Sequence, residues 1–206
     1  MKYNIVRSIY DWVLRWAEKP TAEIALFVLA FAESSFFPVP PDVLLIPLVL
    51  GARKKWFRLA LLVTVASALG GGFGYMVGHF LWWSGAQQYS GLAHFFFDHI
   101  PGFSQQMFQS MQAQYSLYGF WIVFTAGFTP IPFKVFTISS GAFDLNVVTF
   151  MVASFISRGA RFFLVAFLIY KFGEPIRNFI DKYFNWLALL LTALLIGGFL
   201  LIKGVI

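Results

Sequence analysis

Long apolar runs, broken by prolines and by isolated charges, organise this chain. Ala22 to Phe37 is apolar apart from Glu23, Glu33 and two serines. The break Phe36-Phe37-Pro38-Val39-Pro40-Pro41-Asp42 follows, and then Val43 to Gly51 is apolar again. Neither arm reaches the roughly 20 residues that a bilayer-crossing helix needs. Proline removes a backbone donor and clashes with the preceding turn, so the helix must stop between the arms. The pattern predicts a re-entrant hairpin that enters a membrane, turns and leaves on the same side. Leu59 to Trp83 is long enough to span. Leu117 to Gly141 repeats the hairpin pattern around Pro130-Ile131-Pro132, and Asn146 to Tyr170 is a second full span. The expected architecture is an all-α polytopic membrane protein, with one membrane domain over residues 1–206.

Two further helices flank these units. In residues 1–19, Ile5, Ile9, Trp12, Val13 and Trp16 share one face, with Arg7, Asp11 and Arg15 on another. That amphipathic pattern suits a helix lying in the headgroup plane. Residues 185–202 are just long enough for a C-terminal transmembrane helix. No cleavable signal is expected, because Asp11 and Glu18 interrupt the first twenty residues. Between the units, 84–116 reads as an external segment, and Ser104 to Tyr115 reads as a second interfacial helix.

Composition supports the membrane reading. Of 206 residues, 59% are hydrophobic, 20% aromatic and 12% charged, whereas soluble domains carry about 25% charged residues. There is no cysteine, which excludes disulfides and thiolate chemistry. The net charge of +6 points to cytoplasmic loops and anionic headgroups rather than to nucleic acid. The cluster Arg53-Lys54-Lys55-Trp56-Phe57-Arg58 marks a cytoplasmic loop, while Leu59 to Phe133 contains no lysine or arginine. The two hairpins therefore open to opposite sides.

This makes an inverted repeat, 22–83 against 117–170. Setting Pro38 on Pro130 places Pro40 on Pro132 and Asp42 on Lys134, so both hairpin tips read Pro-x-Pro-x-charge. Asp42 and Lys134 are accordingly expected to face each other. Opposed repeats with broken helices place a transport site at their interface.

Glu33, Asp42, Lys134, Arg158 and Arg161 are the charges at membrane depth, where ionisable residues face the bundle interior and mark a pathway. Arg158 and Arg161, spaced i and i+3, share a helix face. With Lys134 they form a cationic group suited to binding a phosphate. Glu33 and Asp42 are candidates for proton coupling, or for structural ion pairs. The glycines at 70, 74 and 78 have the small-xxx-small spacing of close helix contacts, and a homo-oligomer is compatible with the sequence. His94, Asp98 and His99 lie off the spacing of a metal site and read as surface residues. No metal or cofactor is expected.

Several stretches resemble the DedA (SNARE-associated, VTT-domain) membrane-protein family over roughly residues 20–180. They are Glu33 before Pro38-Val39-Pro40-Pro41-Asp42, the run Gly74-Tyr75-x-x-Gly78, and Gly127 through Gly141. Phe128-Thr129-Pro130-Ile131-Pro132-Phe133-Lys134-Val135-Phe136-Thr137-Ile138 is similar to the YqaA-type branch. The resemblance implies opposed re-entrant hairpins and transport of lipid phosphates, notably polyprenyl phosphate carriers, across the bacterial inner membrane, often with the proton-motive force. The family's acids match Glu33 and Asp42. Of the two arginines usual in its second hairpin, one position is Phe128 here and the other is Lys134, a departure that bears on the substrate.

The leading expectation is therefore a non-enzymatic flippase for an anionic lipid. One alternative is a proton-coupled exporter of small solutes or ions. Another is a lipid-phosphate enzyme, for which His79 is the sole histidine at membrane depth and lies away from the cations.

Overall fold

A computed structural model describes residues 21–85, 88–100, 104–129 and 131–173. The helices expected at 1–19 and 185–202, and the hairpin-tip residue Pro130, lie outside the described residues. Helix α1 spans Ala22–Ser35 and α2 spans Asp42–Gly51. A 3-10 turn, Arg53–Lys55, leads into α3, Trp56–Trp82. A short ribbon pairs β1, Trp83–Gly85, with β2, Gln88–Tyr89. Then come α4, Gly91–His99, and α5, Gln105–Phe128. Helices α6, Phe133–Ala142, and α7, Val147–Phe172, complete the described chain. The two long apolar helices, Arg53–Trp82 and Val147–Phe172, are long and apolar enough to cross a membrane.

Both proline clusters end helices where expected. After Ser35, the amides of Phe36 and Phe37 both donate to the Ala32 carbonyl, at 2.8 and 2.7 Å, closing α1. Pro38, Pro40 and Pro41 offer no amide and bias their predecessors away from helix. The Pro41 carbonyl starts α2 by accepting from Leu44 and Leu45. On the second side α5 closes at Thr129, and the Pro132 carbonyl accepts from Val135 at the start of α6. Each part of the chain thus runs helix, proline break, ten-residue helix and long helix.

Helix α3 is the spine. A Cβ at Gly70 would fall onto the Phe31 carbonyl of α1, and one at Gly78 onto the Ile138 carbonyl of α6. Glycine there lets α3 touch the backbones of both broken units. The small-residue spacing therefore serves contacts within the chain.

Two departures from the sequence reading stand out. Residues 105–128 form one continuous helix instead of an interfacial helix followed by a separate hairpin arm. Nothing at Ser116 or Leu117 breaks it, and Gly119, the weak point, is held by close contact with the Leu145 side chain. The class is mostly helical, but the β1–β2 ribbon is an addition. It is braced by the stacked rings of Trp83 and Tyr89, whose centroids are 4.9 Å apart.

The buried residues form two apolar clusters. One gathers Leu26, Leu45, Val63 and Phe162 from α1, α2, α3 and α7. The other gathers Trp82, Phe108, Val123 and Phe150 from α3, α5 and α7. Along α3 and α7, the stretch between the clusters carries the buried polar side chains Ser67, Ser154, Ser157 and Arg158. This polar layer sits near the middle of both long helices.

Candidate functional site

The layer is assembled from the ends of the broken helices and the middle of α7. Glu33 lies in the last turn of α1, just before the first break, and Asp42 is the first residue after it. Arg158 and Arg161 project from one face of α7, as their spacing requires. Arg158 Nη2 donates to Glu33 Oε2 at 2.6 Å, and Arg161 Nη2 donates to Asp42 Oδ2 at 2.7 Å. The acids on either side of one break are thus each taken by a different arginine.

The two pairs differ in character. The Arg158 side chain is 1% exposed. Its Nε donates to Ser67 Oγ at 2.7 Å, and its guanidinium lies over the rings of Phe133 and Phe162, 5.1 and 4.6 Å from their centroids. Ser34 Oγ shares a 2.6 Å hydrogen bond with Ser67 Oγ and also donates to Glu33. Arg158 therefore sits in a dry, hydrogen-bonded network tying α1, α3 and α7 together.

Arg161 and Asp42 are more open, at 14% and 16% side-chain exposure. Arg161 Nη1 also donates to the Thr129 carbonyl at 3.2 Å. Thr129 closes α5, so its carbonyl lacks a continuing helix to bond. One guanidinium thus holds the first break at Asp42 and the second at Thr129.

Lys134 occupies the first turn of α6 and is half-buried. Among the described residues its ammonium has no ion-pair partner, while its carbonyl accepts from Thr137 Oγ1 at 2.9 Å. The Thr137 hydroxyl also reaches the Ser34 carbonyl, linking α6 to α1.

The expected Asp42–Lys134 pair is not formed. Asp42 begins α2, which packs along α7 and not along α6, so its carboxylate meets Arg161. Nor do the two arginine heads converge on one empty anion position, because each already has its own carboxylate. The five expected residues fall into two neutral pairs plus the cation Lys134. At the tips, Pro38, Pro40 and Pro132 lie in the breaks as expected. His79 stands apart, with Nδ1 3.4 Å from Asp144 Oδ1 beyond α6. His99 stacks on Phe95 at 4.5 Å.

The hydroxyls of Ser34, Ser67 and Thr137, the Thr129 carbonyl and the rings flanking Arg158 escaped sequence reasoning. A usable signal was present for the first pair. Ser34 directly follows Glu33 in an otherwise apolar helix, and Ser67 lies within a glycine-rich span.

The chain is 35% identical over 173 residues to an uncharacterized protein of Haemophilus influenzae, a match covering 83% of this chain and 84% of that one. It is 33% identical over 192 residues to the uncharacterized protein HI0703 homolog of Histophilus somni, covering 89% and 92%. The chain belongs to the family of these two proteins. No protein-family model matches the chain, and no solved structure does.

Proposed function

We propose that this chain is a polytopic protein of the bacterial inner membrane that moves an anionic lipid across the bilayer, with a polyprenyl phosphate or a phospholipid as substrate. The observation that carries the reading is the charged layer at mid-length of two membrane-length helices, flanked by two proline breaks. Broken backbone and ionisable side chains survive at membrane depth where they line a pathway. The outward apolar side chains of the long helices support a lipid-facing surface, among them Leu69, Phe73, Phe80, Val152, Phe155 and Leu164. The recurrence of helix, break, short helix and long helix supports an inverted repeat, with the breaks as re-entrant tips. The resemblance to the DedA proteins points to the same substrate class.

In this reading Lys134 is the first cation an incoming phosphate meets, because its ammonium has no counter-ion among the described residues. Arg161 is the second, through donors that Asp42 and Thr129 leave free. Arg158 positions Glu33 and holds the layer. Glu33 and Asp42 compete with the phosphate for the arginines, and a proton taken up or lost by either carboxylate shifts that competition.

The test uses the full chain in vesicles carrying a fluorescent lipid phosphate, with an impermeant quencher reporting the leaflet. Wild-type vesicles should equalise the leaflets faster than empty ones, and Lys134→Gln should slow the movement. Equal rates in empty and protein-bearing vesicles would sink the proposal. Quenching that responds to a proton gradient without any lipid movement would favour a small-solute exporter.

A further inference from the structure

At one end of the described bundle the charge is lopsided. Arg53, Lys54 and Lys55 form the exposed turn before α3, Arg58 follows one turn later, and Lys171 ends α7. One described carboxylate answers these five cations. Glu23 takes Arg58 at 2.8 Å and Lys55 at 3.6 Å. The turn is tied to the end of α7, because the Arg53 guanidinium occupies the space where a Cβ on Gly173 would fall.

Directly beside these cations is an aromatic wall. Trp56 stacks on Tyr170 at 5.6 Å and meets Phe167 and Phe163 edge-on at 5.7 and 6.3 Å. Phe57 packs on Phe163 at 5.1 Å. The outer faces of Phe57, Phe167 and Tyr170 are exposed. Tryptophan and tyrosine are the residues that settle at headgroup level, with the ring in the apolar zone and the polar tip in water.

Building on the membrane reading above, we propose that this rim is a binding site for an acidic phospholipid, separate from the central layer. Its phosphate is held by Lys54, Lys171 and Arg53, and its acyl chain lies on the wall of Phe57, Phe163 and Phe167. Charge complementarity selects this occupant: a zwitterionic headgroup brings no net charge to a surface where, among the described residues, Arg53, Lys54 and Lys171 have no carboxylate partner, whereas an acidic one does. The wall distinguishes a lipid from a free anion, which would gain nothing from the rings.

The test is retention of phosphatidylglycerol against phosphatidylcholine by the full chain in native mass spectrometry. It compares wild type with the double variant Lys54→Gln/Lys171→Gln, whose altered residues lie outside the central layer. Each basic residue near an anionic surface contributes about 1 kcal/mol, or about fivefold in affinity. The double variant should lose phosphatidylglycerol preference by more than tenfold, keep its phosphatidylcholine retention, and still move lipid in vesicles. Unchanged preference in the double variant overturns the proposal. So does loss of preference in Arg161→Gln alone, which would put the acidic lipid at the central layer. Equal displacement by free glycerol phosphate would show that the rings do not contribute, and also overturns it. A chain that washes out of membranes in carbonate would instead fail the membrane reading itself.

Discussion

Exchange of the expected Asp42–Lys134 pair for Asp42–Arg161 can be tested by a double-mutant cycle on the full chain. The perturbations are Asp42→Asn, Arg161→Gln and both together, with Asp42→Asn and Lys134→Gln as the comparison cycle. At 2.7 Å and an effective dielectric near 20, the bare attraction is about 6 kcal/mol. Desolvation of both ions offsets most of it. At 14% and 16% exposure water still screens the pair, so the net coupling should fall at about 1–3 kcal/mol. Each single variant strands a charge, Arg161 or Asp42, and should cost more than its share of the double. The assay is reversible unfolding in mixed detergent micelles, followed by intrinsic fluorescence. Coupling within about 0.5 kcal/mol of zero for Asp42–Arg161 would refute the geometry. So would a larger coupling for Asp42–Lys134 than for Asp42–Arg161.

Three other outcomes follow from single contacts. Gly70→Val, pressing a side chain onto the Phe31 carbonyl, should cost well above the usual 1–3 kcal/mol of overpacking, while Gly51→Ala, with open space around it, should melt like wild type in a thermal-shift assay. Tyr75→Phe removes a 2.6 Å hydrogen bond to the Leu145 carbonyl and should lose about 0.5–1.5 kcal/mol in the same unfolding assay. Glu33→Gln should keep lipid-phosphate binding but flatten the pH dependence of vesicle transport; an unaltered pH profile removes Glu33 from any proton-linked step.

What the sequence made legible were features with a local cause. Prolines 38, 40 and 41 end α1 wherever the chain goes, and the i, i+3 spacing puts Arg158 and Arg161 on one face in any helix. The apolar length of 59–83 and 146–170 likewise forces long helices. Pairing across the layer has no local cause. Whether Asp42 meets Lys134 or Arg161 depends on which helix α2 lies against, and repeat equivalence of two positions does not bring their side chains together. The helix of 105–128 was obscured because its glutamine-rich start and apolar end look like different segments, although every residue between them tolerates helix. The β1–β2 ribbon depends on ring stacking between residues six apart, which period-based reading does not detect.

The layer itself argues for function over stability. A buried ion pair is often replaceable by apolar side chains at no cost or with a gain in stability. Here two ion pairs and two bridging serines lie between apolar clusters that could otherwise have merged. Arg158 is spent on holding this arrangement: it is dry, ring-flanked and bonded to Ser67 and Glu33. Arg161 is placed differently. It joins Asp42 at one break to Thr129 at the other and keeps some access to the outside. An anion that draws Arg161 toward Lys134 must therefore loosen both breaks together. A ligand that met Arg158 first would have to dismantle a network tying three helices before reaching either break. Under the proposed function, substrate entry at Lys134 and Arg161 is the route that couples binding to movement of both tips while leaving the bundle intact.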